Sequence, residues 1–227
     1  MIMKNNQAYK NDALAALKGN WAPAVVCSIA VTTAVFIILA PSYCANMASL
    51  RVDGFAQMNP QMLKVFMYIG LPVNLLLLYP LILGYTVAHN ELLIKGDNRL
   101  TTNTFRMTFS GYFRNVWGMF LMWLFTILWS LLLIIPGIVK SFAYALTPFI
   151  LKDYPELSAN QAINLSIKMM KGHKFDLFWL LLSFLGWLFL CLLTLGIGVL
   201  WFMPYWQTAL ASFYQDVKNN YLTNNNN

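Results

Sequence analysis

The stretch Leu177–Gln215 decides the fold of this chain. It reads LFWLLLSFLGWLFLCLLTLGIGVLWFMPYWQTALASFYQ, 39 residues without one charged side chain. As a single helix it would be about 58 Å long, nearly twice the thickness of the hydrocarbon layer of a bilayer. The chain must therefore turn back. The segment Leu195–Gly198 (LGIG) is the natural place, because glycine permits the backbone conformations that a tight reversal needs. The stretch thus predicts two membrane-spanning helices, 177–194 and 198–216.

Three further runs lack charge, and together with the first they predict a polytopic, all-α transmembrane helical bundle. These runs are 19–50, 65–90 and 115–139. Hydrophobic residues form 59 % of the chain and charged residues 10 %, against about 25 % charged in ordinary soluble domains. We expect Pro136-Gly137 to act as a turn, as Leu195–Gly198 does. Six spans follow, at roughly 21–40, 65–90, 115–135, 138–152, 177–194 and 198–216.

A threefold internal repeat supports this count. Three times a short, partly polar stretch leads to a glycine, an aromatic residue and then a span. The stretches are ALAALKGNW (13–21), FRMTFSGYF (105–113) and SIKMMKGHKF (166–175). From Gly111 to Gly137 is 26 residues, and from Gly172 to Gly198 is also 26. Matched spacing of this kind is typical of repeat proteins.

The repeat predicts three units, each an amphipathic helix followed by a helical hairpin, within a single membrane domain, 1–227. The units are 8–94, 101–154 and 158–218, and the first contains an insert, Pro41–Lys64, outside the membrane. The second span of each unit ends at a polar and an acidic residue: Asn90-Glu91, Lys152-Asp153 and Gln215-Asp216. Residues 219–227 are expected to form a mobile tail, because they offer little to bury.

The third amphipathic helix has the clearest signals. Ser158 and Gln161 have the spacing of a capping box, and Gly172 is placed to end the helix. One interpretation is an ordinary connecting helix packed on the bundle. The other is a helix lying in the headgroup layer, with Lys168, Lys171 and Lys174 directed toward anionic lipid.

Charge predicts the orientation. An even number of spans per unit places all three amphipathic helices on one side, and twelve of the fifteen lysine and arginine residues fall there, against Arg51, Lys64 and Lys140 opposite. The positive-inside rule then makes both termini cytoplasmic. The net charge of +7 does not indicate nucleic-acid binding, because the basic residues lie between apolar runs rather than on a soluble face. The twelve are Lys4, Lys10, Lys18, Lys95, Arg99, Arg106, Arg114, Lys152, Lys168, Lys171, Lys174 and Lys218.

Four motifs in the C-terminal part of the chain resemble a known family. They are IPGIVKS (135–141), PELSANQAI (155–163), MKGHK (170–174) and LTLGIG (193–198). In this order they closely resemble the bacterial membrane family known as domain of unknown function 975. More distantly, the IPG turn followed by an amphipathic helix is similar to the membrane domain of some glycerophosphodiester phosphodiesterases, but this chain has no room for their catalytic barrel. The family resemblance implies a protein of the bacterial plasma (inner) membrane and no particular activity.

Polar residues inside the predicted spans are the candidates for a site, since an unpaired polar group in lipid is unfavourable. Asn74, Lys140, Tyr144 and Gln207 lie on spans that also contain proline, as in the interrupted helices of transporter sites. The alternative is hydrogen bonding between helices. For Lys140 one interpretation is an amine that reaches the external headgroups; the other is an inward amine that meets Tyr144 or Asn74.

The sequence contains no nucleophile elbow, P-loop or HExxH motif. We therefore expect no enzyme, no catalytic residue, no cofactor and no metal site. The first hypothesis is a non-enzymatic membrane protein with a role as a scaffold, in assembly or in envelope homeostasis. The alternative is a small permease or lipid-handling transporter. The expected partners are the lipid bilayer, including anionic lipid, and a membrane-protein partner or a second copy of the chain.

Overall fold

The computed structural model describes residues 3–49, 60–132 and 134–225, and within these ranges the chain forms helices and no strand. This agrees with an apolar chain whose spans must satisfy their own backbone hydrogen bonds. The helices are α1 (Asn6–Leu17), α2 (Trp21–Ser49), α3 (Pro60–Lys95), α4 (Leu100–Phe109), α5 (Tyr112–Leu132), α6 (Ile134–Tyr144), α7 (Thr147–Asp153), α8 (Ala159–Met169), α9 (Lys174–Leu182), α10 (Leu185–Leu193) and α11 (Val199–Asn225).

Three segments of the described chain are long and apolar enough to cross a membrane. They are Trp21–Cys44, Pro72–Lys95 and Lys174–Leu193. In the first and third of these, only 22 % of the most apolar window is buried inside the protein, so most of these apolar side chains face outward. The other predicted spans fall on α5, on α6 with α7, and on α11, and the count of six stays a prediction.

Three glycines join the short helices to the helices that follow them. Gly19, Gly111 and Gly172 have φ values of 81°, 66° and 91°, in the left-handed region that glycine enters without steric cost. They lie between α1 and α2, between α4 and α5, and between α8 and α9. The sequence therefore placed these three helix ends correctly.

The turn at Leu195–Gly198 is present, with φ of 51° at Leu195 and 89° at Gly196. The prediction of a turn at Pro136-Gly137 was wrong, because both residues lie inside α6, which begins at Ile134. Proline is tolerated in the first turn of a helix, where its missing N–H group has no intrahelical partner to lose. Gly137 has another use: a Cβ atom there would overlap Ser130 of α5, so it allows α5 and α6 to approach closely.

Two predicted spans are interrupted rather than continuous. The span 138–152 divides into α6 and α7 because Pro148 has no N–H group to donate to the carbonyl of Tyr144, the last residue of α6. The span 177–194 divides into α9 and α10 at Ser183, whose hydroxyl donates to the carbonyl of Leu180 at 2.6 Å. Serine side chains of this kind compete with the backbone bonds of a helix.

Helices extend into two segments that were predicted to lie outside the spans. In the insert 41–64, α2 continues to Ser49 and α3 begins at Pro60; the intervening residues 50–59 lie outside the described chain. In the tail 219–227, α11 continues to Asn225, and Asn220 is buried, with its amide nitrogen against Met3 Sδ at 2.8 Å. The mobility of this tail stays a prediction. Residues 226–227 lie outside the described chain.

The short helices pack in the same way on successive hairpins. Helix α4 contacts α2 and α3, and α8 contacts α5 and α7. Helix α1 contacts mainly α11, and also α3 and α9, so the first helix of the chain lies chiefly on the last hairpin. The largest buried side chains at these contacts include Tyr9, Leu17, Phe149, Phe213 and Tyr214.

Candidate functional site

Lys140 and Tyr144, two of the predicted span residues, meet at a third residue, Trp129 of α5. The amine of Lys140 lies 4.6 Å from the centroid of the Trp129 ring, within the distance of a cation–π interaction. The indole of Trp129 also lies close to the hydroxyl of Tyr144. The described residues give the Lys140 amine no oxygen acceptor. Trp129 was not among the residues predicted from the sequence; its position opposite Lys140 across the α5–α6 hairpin is the signal that points to it.

Asn74 and Gln207, the other two predicted span residues, make separate contacts. The amide nitrogen of Asn74 donates to Ser42 Oγ at 3.1 Å, which links α3 to α2. The carbonyl oxygens of both Asn74 and Gln207 are buried and accept no hydrogen bond from the described chain. No hydrogen bond between described residues joins any two of the four, so the structure brings together Lys140 and Tyr144 only.

A groove with a volume of about 280 Å³ lies beside Tyr144, between α3, α5, α6 and α7. We call it the Tyr79–Tyr144 groove. The hydroxyls of Thr126 and Ser141 donate to carbonyls of their own helices, Met122 and Ile138, at 2.8 and 2.7 Å. The hydroxyls of the two tyrosines donate to no described residue, so both can donate a hydrogen bond to a ligand in this otherwise apolar groove. Its lining residues are Tyr79, Met122, Trp123, Thr126, Ser141, Tyr144, Ala145 and Pro148.

The three predicted headgroup lysines surround Gly172. Lys168 and Lys171 are exposed and Lys174 is half-buried. None of the three makes an ion pair with a described residue. Between them, His173 Nδ1 lies 3.1 Å from Asp176 Oδ2. These unpaired cations fit a contact with anionic headgroups.

A polar cluster that the sequence did not predict joins the first and last helices. We call Lys4, Tyr9, Asp12, Ser212 and Asp216 the terminal cluster. The hydroxyl of Tyr9 donates to Asp216 Oδ2 at 2.7 Å, and the backbone N–H of Lys4 donates to the same oxygen at 2.9 Å. Burial, and then the contact with Asp216, raise the pKa of Tyr9, so Tyr9 keeps its proton and acts as a donor.

Asp12 forms the second half of the terminal cluster. Its Oδ2 accepts hydrogen bonds from the Lys4 amine at 2.9 Å and from the Ser212 hydroxyl at 2.6 Å. Burial acts to raise the pKa of Asp12, but the hydrogen bonds from Ser212 and Lys4 outweigh it and the pKa lies below its ordinary value. The carboxyl group is therefore ionised at neutral pH.

Helix α11 also binds the ends of α3 and α7. The amide nitrogen of Gln215 donates to Asn90 Oδ1 at 2.8 Å. The hydroxyl of Tyr214 donates to Asp153 Oδ2 at 2.7 Å, and the Lys218 amine contacts the same oxygen. The polar residues that end the second spans of the three predicted units thus meet on one helix. The sequence pointed to these ends but not to Tyr214 or Lys218 as their partners.

Over the residues that the structure describes, the fold is all-helical, and three segments are long and apolar enough to cross a membrane. The chain belongs to the family described as "Protein of unknown function (DUF975)", whose family model matches residues 61–221. This match does not show the more distant similarity to the membrane domain of glycerophosphodiester phosphodiesterases. No curated protein and no solved structure matches the chain.

Proposed function

We propose that this chain is a six-span protein of the bacterial plasma membrane that acts without catalysis, as a scaffold or assembly factor of the cell envelope. Both termini lie in the cytoplasm, and the lipid bilayer and a second membrane protein, or a second copy of the chain, are its partners. Three apolar spans with outward-facing side chains support the membrane location. The uncharged runs on α5 and α11 supply the length for further spans.

The arrangement of the short helices carries the proposal. Each of α1, α4 and α8 ends near a glycine with positive φ and packs on a hairpin, and α1 packs on the third hairpin as α4 and α8 pack on the first and second. This supports three equivalent units with their short helices on one side of the membrane. The result is a platform of folded helices, rather than loose loops, at the cytoplasmic end of the bundle, and such a platform suits the binding of another protein.

Reporter fusions test the topology. A fluorescent protein fused after Asn227 should fluoresce, because it folds in the cytoplasm. An alkaline phosphatase inserted at Gly54 should be active, because this enzyme needs the oxidising exterior. The matched controls are alkaline phosphatase fused after Asn227, which should be inactive, and the fluorescent protein inserted at Gly54, which should not fluoresce. Equal location of the two positions would refute the six-span arrangement.

Lipid retention tests the role of the headgroup lysines. The triple variant Lys168→Gln, Lys171→Gln, Lys174→Gln removes three cations that have no ion-pair partner among the described residues, so loss of folding is not expected. Native mass spectrometry should then show less retained phosphatidylglycerol than in the wild type. Lys64→Gln, an exposed lysine predicted on the opposite side, is the control and should retain it. Equal retention in the triple variant would remove anionic lipid from the proposal.

The second candidate function is lipid handling or permeation, which the Tyr79–Tyr144 groove favours. Its two tyrosine hydroxyls and the nearby Lys140–Trp129 pair offer hydrogen bonds and a positive charge beside an apolar surface. Flux of a fluorescent phospholipid through the protein in reconstituted liposomes distinguishes the two functions. Saturable flux that falls in Lys140→Met supports transport. The absence of flux supports the scaffold. Lys140→Arg keeps the charge and serves as the control.

A further inference from the structure

A cavity with a volume of about 460 Å³ lies between α1, the end of α3 and α11, next to the terminal cluster. Its polar wall comes from Lys4, Asp12, Ser212, Gln215, Asp216 and Asn219, and its apolar wall from Ala15, Ala16, Leu93 and Ile94. The cavity is distinct from the Tyr79–Tyr144 groove, with which it shares no residue.

The polar wall offers three oxygen acceptors beside its donors. Every hydrogen bond that the described residues give to Asp12 and Asp216 falls on Oδ2. The Oδ1 atoms of both carboxylates accept none, and neither is fully enclosed by protein atoms. The amide nitrogen of Gln215 is bound to Asn90, which leaves the Gln215 carbonyl oxygen as a third acceptor. Of the donors in this wall, the Ser212 hydroxyl and one N–H of the Lys4 amine are bound to Asp12, and the other two N–H groups of Lys4 and the Asn219 amide donate to no described residue.

Asp216 is the more buried of the two carboxylates that line the cavity, at only 8 % exposure. Its Oδ2 is paired with Tyr9 and with the backbone of Lys4. Its Oδ1 accepts no hydrogen bond from the described residues and can accept one from a ligand in the cavity. Two carboxylates face one ammonium group, that of Lys4, so the ionised side chains lining the cavity carry a net charge of −1.

We propose that this cavity binds a primary ammonium group attached to an alkyl chain. A primary ammonium has three N–H donors, which match the three free oxygens of Asp12, Asp216 and Gln215, and its charge neutralises the cavity. The alkyl part lies against Ala15, Leu93 and Ile94. The group belongs either to the ethanolamine headgroup of a phospholipid or to a soluble amine such as putrescine. All residues that line this cavity belong to the described chain, and the cavity is the same in either orientation of the chain in the membrane. A negative binding result would therefore leave the predicted topology untouched, and a negative topology result would leave the binding site untouched.

Binding of n-hexylamine to the full-length protein in phosphatidylcholine nanodiscs tests the proposal. Titration calorimetry and the unfolding temperature should show saturable binding. Hexanol lacks the charge and hexyltrimethylammonium lacks the N–H donors, so each should bind at least tenfold more weakly. Equal binding of the three compounds would show that only the apolar wall is recognised and would overturn the proposal. Absence of saturable hexylamine binding would do the same.

Two variants locate the site without removing the buried Asp216. Asp12→Asn removes one charge from the wall, and Ala15→Leu fills the cavity from an exposed helix position. Each should weaken hexylamine binding at least tenfold, whereas Glu156→Gln, an exposed carboxylate outside the cavity, should not. Unchanged binding in both cavity variants would overturn the assignment. Competition by phosphatidylethanolamine added to the nanodiscs identifies a lipid source, and competition by putrescine identifies a soluble amine.

Discussion

The hydroxyl of Tyr9 donates a 2.7 Å hydrogen bond to Asp216 Oδ2, across 207 residues of sequence. The Tyr9 side chain is fully buried, and its ring packs edge-on against Phe213. Tyr9→Phe keeps this packing and removes only the hydrogen bond to a charged group, which contributes about 2 kcal/mol. We expect the free energy of unfolding, measured in detergent micelles, to fall by about this amount. Tyr68→Phe, at an exposed position, should leave it unchanged, and an equally stable Tyr9→Phe would show that the bond does not hold α1 to α11.

The protonation of Asp12 should make the stability of the folded protein depend on pH. Because its pKa is lower in the folded protein than the ordinary 3.8, its contribution is present above pH 3.8 and is lost as the pH falls through the folded pKa. Between pH 6 and pH 3 the unfolding temperature of the wild type should therefore fall further than that of Asp12→Asn, which has no carboxylate to protonate. Glu156→Gln should follow the wild type. Parallel curves for the wild type and Asp12→Asn would contradict this role.

Gly172 tests the backbone requirement at the ends of the short helices. Its φ of 91° strains any other residue, although nothing lies within 4 Å of an added Cβ atom. Gly172→Ala should therefore destabilise the protein by about 1 kcal/mol through the backbone alone. Gly186 also has open space and an ordinary φ within α10, so Gly186→Ala should be neutral or stabilising. Thermal unfolding of the two variants side by side checks the difference, and equal effects would contradict it.

Gly84 tests the close packing of α3 on α4. A Cβ atom there would overlap the Thr104 carbonyl and lie 3.0 Å from the Thr108 nitrogen. Both are backbone atoms of α4, which cannot move without shifting the helix, so Gly84→Ala should cost about 1–3 kcal/mol. At Gly118 the added Cβ would meet the end of the Leu151 side chain at 2.8 Å, and a side chain can rotate away. Gly118→Ala should therefore be the milder variant, and the reverse order would refute the distinction.

Local features of the fold were predictable because they depend on neighbouring residues. The Ser158–Gln161 capping box forms both of its hydrogen bonds, at 2.8 and 3.4 Å. Gly19, Gly111 and Gly172 end helices because the requirement for positive φ is local. Pro136 was misjudged for a related reason: proline breaks a helix interior but fits a first turn, and the sequence alone does not say where the helix begins.

The site was less predictable because its contacts are distant in sequence. The sequence marked Asp153 and Asp216 as the ends of spans, but their partners Lys218 and Tyr9 lie 65 and 207 residues away. Because Lys140 is charged, the expected partners of its amine were oxygen atoms, either of the external headgroups or of Tyr144 or Asn74. In the structure the Lys140 amine instead makes a cation–π contact with the ring of Trp129. A search for polar groups does not consider such a partner.

The packing of α1 on α11 has a consequence for biogenesis. A ribosome adds about 5–20 residues per second, so the 207 residues between Tyr9 and Asp216 take on the order of 10–40 s to synthesise. Helices α4 and α8 can dock on hairpins that have already emerged, whereas α1 must wait for the last one. Closure of the bundle is then the final step of assembly. If synthesis stops before α11, Tyr9 has no partner and α1 stays undocked. Proteases of membrane quality control can then recognise the unfinished product by this exposed helix.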